Sequence, residues 1–159
     1  MRKDFFKYLY DLMKDNPNIW SLTGDLGYGG FDKIREDFPD RFINCGAAEQ
    51  SMLQIACGLA LEGKIPFVYS ITPFLLYRPF EVLRTYINHE KIPVVLIGSG
   101  RDDDYKHDGF SHYAGDDKDF MQHFPNIVSK WPKDSTEMKV WVKAAIDSRE
   151  PFYINLSKK

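Results

Sequence analysis

At 159 residues, with 43% hydrophobic and 15% aromatic content, the chain holds enough apolar material for the core of one domain, and no linker, charge block or internal repeat divides it. A net charge of −2 at pH 7, with Lys and Arg dispersed along the chain, excludes a basic nucleic-acid surface. Cys45 and Cys57 are the only cysteines, with neither CxxC spacing nor the count of a disulfide framework, which fits reduced thiols and a cytoplasmic location.

Phe5, Phe6, Leu9, Leu12 and Met13 recur at helical spacing near the N-terminus, but Asp4, Lys7, Asp11 and Lys14 interrupt them. The segment therefore reads as an amphipathic helix, and neither a signal peptide nor a membrane span is expected. Asn16 and Pro17 end it, and Ile19–Thr23 is the first predicted strand. A glycine-bearing loop (residues 24–30), a short helix (31–36) and a turn at Pro39 and Asp40 lead to a second strand, Phe42–Asn44. Gly46 allows a turn, after which Met52, Leu53, Ile55, Ala56, Leu59 and Ala60 define a helix that Gly63 stops. Glu49 falls in or just before the first turn of that helix, where the dipole and free N–H groups favour an anion. It reads as a helix-start acid; its small neighbours Gly46, Ala47 and Ala48 leave a second reading open, in which something approaches the backbone closely.

Ile65–Ile71 is a nearly all-apolar third strand, residues 79–89 carry Phe80, Val82, Leu83 and Ile87 at helical spacing, and residues 93–98 are the fourth strand. A long polar loop (99–117) is followed by a short helix (120–123) and a strand (127–130). Asp134 and Glu137 form a capping-box pattern that opens a helix running to about Ser148, and Phe152–Leu156 closes the chain as a strand. Strands apolar throughout, alternating with helices, predict an α/β fold: an open three-layer sandwich, a mostly parallel sheet with helices on both faces. In such sheets ligands lie beyond the carboxyl ends of the strands. The Gly24 loop, the Glu49 turn, the 71–77 segment and the Gly100 loop all leave from there.

Motifs that would hold a nucleotide or a metal fail. Gly24, Gly27, Gly29 and Gly30 do not form G-x-G-x-x-G, and no P-loop, GxSxG elbow, HExxH or paired-Cys spacing occurs. His89, His107, His112 and His123 are far apart, so no metal ligand is assigned. Asp102, Asp103, Asp104, Asp116, Asp117 and Asp119 read as a solvated acidic loop.

Residues 24–27 (GDLG), 38–68, 78–84 (RPFEVLR), 92–100 (IPVVLIGSG), 108–112 (DGFSH) and the terminal LSK stand in an order and spacing that resembles the pyrimidine-binding domain of transketolase, especially the C-terminal subunit of two-chain transketolases. The AEQ run around Glu49 is its most specific part. Deoxyxylulose phosphate synthase and the β subunit of 2-oxoacid dehydrogenases share the carboxylate and are the competing assignments. A decarboxylating carboligase subunit or a non-catalytic binding module are the alternatives to ketol transfer between sugars.

The resemblance implies thiamine diphosphate as cofactor, with Glu49 bonded to a pyrimidine ring nitrogen so that the cofactor can deprotonate its own thiazolium carbon. It places Asp25 and Leu26 near the cofactor and makes Phe74 and Tyr77 aromatic walls of the aminopyrimidine, although both also read as core aromatics. Ile71 stands where the family has a further aromatic. Asp108 and His112 match residues that contact substrate, His112 being a catalytic candidate with Glu49; both also read as solvated loop residues. Lys158 lies where the family often carries a phosphate-binding Arg, and offers a point charge without the Arg fork. Gly29 and Gly100 replace a Ser and a His of the pattern.

No GDG motif for diphosphate and Mg²⁺ occurs. The resemblance therefore implies one pyrimidine-binding domain over residues 1–159, without the diphosphate-binding or C-terminal domains. It also implies a separately encoded diphosphate-binding partner holding most of the cofactor and the Mg²⁺, with two copies of each chain. A small sugar or sugar phosphate is the implied substrate, and neither nucleic acid nor membrane is an expected partner.

Overall fold

The computed structural model describes residues 1–158; Lys159 lies outside the described residues. Six strands form one sheet in the order β2-β1-β3-β4-β6-β5: β1 (Ile19–Thr23), β2 (Phe42–Asn44), β3 (Ile65–Ile71), β4 (Val95–Ser99), β5 (Val128–Lys130) and β6 (Phe152–Leu156). Every pairing is parallel, so the expected mostly parallel sheet is wholly so. Bounds of β1, β2, β3 and β6 match the sequence reading. Strand β4 starts two residues later than expected, because Pro93 has no N–H to give and Val94 turns back on Ile92 before its carbonyl meets Phe152.

The period-2 alternation along each strand divides the core in two. One side of the sheet presents Leu22, Val68, Leu96 and Tyr153 to α3 (Glu49–Leu61), α4 (Thr72–Tyr77), α5 (Phe80–Val82) and α6 (Asp117–Met121). The other presents Ile19, Phe67, Tyr69, Val95, Ile97 and Ile154 to α1 (Arg2–Asp15), α2 (Asp32–Asp37) and α7 (Ser135–Ser148). Both faces are covered, which is the three-layer arrangement the apolar strands predict.

Besides α6, which starts three residues before the helix expected over 120–123, two stretches depart from the expected elements. Residues 72–77 form α4 directly after β3, with Pro73 in its first turn, where a missing N–H costs nothing. The helix expected over 79–89 is α only at α5 and continues as a π-helical stretch, Leu83–His89, in which Glu90 N–H reaches Thr85 O at 3.2 Å. At the end of α3, Gly63 adopts φ +78° and donates to Ala60 O, while Lys64 donates to Leu59 O, closing the last carbonyls as the stop signal predicts.

Candidate functional site

Glu49 is the first residue of α3, and the N-cap position before it is Ala48, which has no polar side chain to cap with. Glu49 is 3% exposed. Gly24, just after β1, lets the Gly46 carbonyl approach closely: a Cβ there would stand 3.2 Å from Gly46 O and in ordinary contact, 3.7 Å, with Glu49 Oε1. The helix start that the sequence predicts is there, with Glu49 in the first turn of α3, but its carboxyl is buried among the loops at this end of the sheet. Its partner is Arg78, whose Nη1 donates to Oε1 at 2.8 Å. The same guanidinium lies 3.7 Å over the Phe74 ring, and Phe74 in turn meets His112 edge-on at 4.8 Å. Glu49, Arg78, Phe74 and His112 thus form a continuous wall.

The Gly24 loop is tied to the same edge. Asp25 has φ 59°, held by Asn44 Oδ1, which accepts from Asp25 N–H at 2.9 Å and from Gly46 N–H at 3.1 Å. Tyr28 and Asn44 both donate to Asp25 Oδ1 and hold its carboxyl below the usual carboxylate range. Asp25 is exposed, and Leu26 and Ile71 line a separate groove of about 1090 Å³ between α1 and this loop. Lys158 lines that groove together with Arg2, Lys7 and Lys33. Lys158 is fixed through its backbone N–H on Asp104, and its Nζ lies 5.3 Å over Tyr105. Arg2 hydrogen-bonds Tyr105 and Ser99.

Tyr77 is set apart from the Glu49 wall: it packs on Phe120 and donates to Asp116 at 2.6 Å, and burial followed by that bond raises its hydroxyl well above the ordinary tyrosine range. Asp108 is exposed and pairs with His107 at 3.3 Å, while His112 Nδ1 lies 3.0 Å from Ser111 Oγ. The described structure therefore brings Glu49, Phe74 and His112 together, lines the adjoining groove with Leu26, Ile71 and Lys158, and leaves Asp25, Tyr77 and Asp108 on the surrounding rim.

One expectation is corrected outright. Asp117, read as part of a solvated acidic run, is 1% exposed. Its Oδ2 accepts from Trp131 Nε1 at 2.8 Å, Tyr153 OH at 2.7 Å and Asn155 Nδ2 at 2.7 Å, and burial raises its pKa. Asn155 also reaches Thr72 at the head of α4, and Thr72 Oγ1 donates to Gly100 O at 2.8 Å. This network pins the loop carrying Asp108 and His112 to β6 and to the helix that carries Phe74. Sequence reasoning also passed over Arg78, whose i, i+4 spacing from Phe74 becomes a signal only once the helix α4 between them is known.

A parallel α/β sheet whose carboxyl edge carries one buried carboxyl against a stacked aromatic, beside a cation-lined groove, defines a ligand-binding domain with its chemistry at the loops. The family model described as the transketolase pyrimidine binding domain matches residues 1–159, and the chain belongs to that family. A protein of Methanocaldococcus jannaschii described as a transketolase C-terminal section is 31% identical over 160 residues, which cover 100% of this chain and 51% of the relative. One of the subunits of an apulose-4-phosphate transketolase from Actinobacillus succinogenes is 34% identical over 124 residues, 78% of this chain and 40% of the relative. A solved structure described as a split gene transketolase in an inactive beta4 tetramer matches with a TM-score of 0.86 and 32% identity, covering 99% of this chain and 51% of that one. The chain spans about half the length of these relatives or less.

Proposed function

We propose that this chain is the pyrimidine-binding part of a split, transketolase-like enzyme that moves a two-carbon ketol unit between sugars with thiamine diphosphate. One observation carries the reading: a carboxyl 3% exposed at the head of α3, with a planar nitrogenous group already seated between it and the Phe74 ring. The side chains fit an aminopyrimidine, because a flat base needs one face packed and one edge bonded, and Phe74 and Glu49 supply both. When bound, the cofactor supplies the carbanion chemistry. Glu49 holds and shares a proton at the ring nitrogen, Phe74 orients the ring, and His112, in edge contact with Phe74, faces the substrate side. Asp25, Leu26 and Ile71 flank the cofactor, Tyr77 braces the rim, and Asp108 and Lys158 meet the sugar or its phosphate.

The same proposal makes residues 1–159 one pyrimidine-binding domain and places most of the cofactor and its Mg²⁺ on a separately encoded partner, two copies of each chain forming the enzyme. The split relatives support the partner. Among the described residues no group of three or more His, Cys, Asp or Glu could hold a metal ion, and no helix is long and apolar enough to cross a membrane. Two free cysteines support a reducing, cytoplasmic setting for this carbohydrate chemistry. Co-purification identifies the partner, and ketol transfer is then assayed in the reconstituted complex. Glu49→Gln is expected to lower turnover by about 10²–10⁴-fold with an unchanged circular dichroism spectrum. Near-normal turnover in that variant would overturn the assignment of Glu49, and a decarboxylated product without ketol transfer would overturn the reaction class.

A further inference from the structure

Glu49 is proposed to share a proton with a neutral ring, yet the group facing it is a cation. Arg78 Nη1 stands 2.8 Å from Glu49 Oε1, and the guanidinium carbon stands 3.7 Å from the centroid of Phe74. A guanidinium is planar, carries donors only and keeps its proton at any working pH. An aminopyrimidine would need the same two contacts, its face on Phe74 and its edge on Glu49. Guanidinium and base are therefore mutually exclusive in this pocket.

The pair is also built to open from one side. Glu49 is buried to 3% exposure, whereas the Arg78 side chain is 46% exposed. Arg78 follows the last residue of α4 and precedes Pro79, so it belongs to the short joint before α5 and can turn outward without disturbing the core behind Glu49. An ion pair wet on one side is weak, while a buried carboxyl left bare is costly. That asymmetry suits a temporary partner.

We propose that Arg78 is a built-in plug: in the unpartnered chain its guanidinium fills the aminopyrimidine's place between Glu49 and Phe74, and it is displaced when the cofactor enters. This inference rests on the pyrimidine-site reading above. A pocket that must first expel its own side chain binds more weakly by the fraction of time it stands open. The plug thus keeps Glu49 paired in the free chain and lowers its affinity for the base until the partner adds its own contacts.

The test uses the free aminopyrimidine moiety of thiamine, 4-amino-5-hydroxymethyl-2-methylpyrimidine, titrated by NMR into the full chain. Arg78→Ala is expected to bind it roughly tenfold tighter or more than the wild type. Arg78→Lys, which keeps the charge but not the plane, should fall between them, and it carries the comparison if the alanine variant does not fold. Adding Glu49→Gln to Arg78→Ala should abolish the gain, and methylguanidinium should compete with the base in Arg78→Ala. Equal affinity in the wild type and both Arg78 variants overturns the plug and leaves the pyrimidine site standing. Weaker binding in the variants overturns it too, making Arg78 a binding residue. No binding by any of them, with methylguanidinium still taken up by Arg78→Ala, shows a pocket unsuited to the base and overturns the function reading and the plug together.

Discussion

Replacing Asp117 with alanine takes the acceptor from three donors at once: Trp131 Nε1, Tyr153 OH and Asn155 Nδ2. Tyr153 and Asn155 are fully buried and find no water in exchange, so urea unfolding of Asp117→Ala should show a loss of about 3 kcal/mol. Because burial raises the Asp117 pKa, the folded state binds its proton more tightly than the unfolded state does. Its contribution to stability therefore falls as pH rises from the ordinary carboxylate range through the raised value, and is constant above it. Carboxyls held low, such as Asp25, run the other way and lose their contribution as pH falls. The informative quantity is the difference between wild type and Asp117→Asn: the wild type should lose stability relative to the variant across that window. A pH-independent difference would show that the carboxyl does not titrate between folded and unfolded states.

The helix α7 shows what one cap contributes to an element. Asp134 Oδ1 accepts from Glu137 N–H at 2.8 Å, as the capping-box pattern predicts, but the Glu137 carboxyl returns to Lys133 N–H and not to that of Asp134. Asp134→Ala should lower stability by about 1 kcal/mol in urea unfolding, and Asp134→Asn by much less, since an amide oxygen caps nearly as well. Elements of this kind were legible because a local signal marks them: Asp134 and Glu137 for α7, Gly63 for the end of α3, and mostly apolar runs for β1, β3 and β6. Helix α4 was hidden because the Pro73–Tyr77 part of it continues the largely apolar run of β3, and no period separates a strand's end from so short an apolar helix. The π stretch at Leu83–His89 keeps the apolar spacing of an α-helix, so the added residue per turn leaves no trace in the pattern. At the site, Glu49 was visible through its small neighbours Gly46, Ala47 and Ala48. Arg78 was not, because a charge in RPFEVLR reads as an exposed helix residue, and Asp117 was lost among five other acids whose side chains face water or the loop rim.

At the scale of the whole molecule the chemistry is gathered at one end. The segments that follow β1, β2, β3 and β4 carry Asp25, Glu49 at the head of α3, Phe74 in α4 and His112, and the most exposed aromatics stand on the first and last of them: Tyr28 at 78% and Phe110 at 86% exposure. Rings so exposed at the end of the sheet that carries the buried Glu49 suit a surface completed by another protein. The opposite end, where Arg149 holds Lys64 O at 3.0 Å, carries none of the proposed site. If the diphosphate-binding partner closes over the site, amide hydrogen exchange in the complex should slow by roughly tenfold or more over residues 24–30 and 105–113, where backbone bonds now lie open to solvent. Residues 62–65 and 147–151 should exchange as they do in the free chain. Protection confined to that far end, or to the outer face of α7, would place the partner away from Glu49 and remove the physical basis for a shared cofactor site.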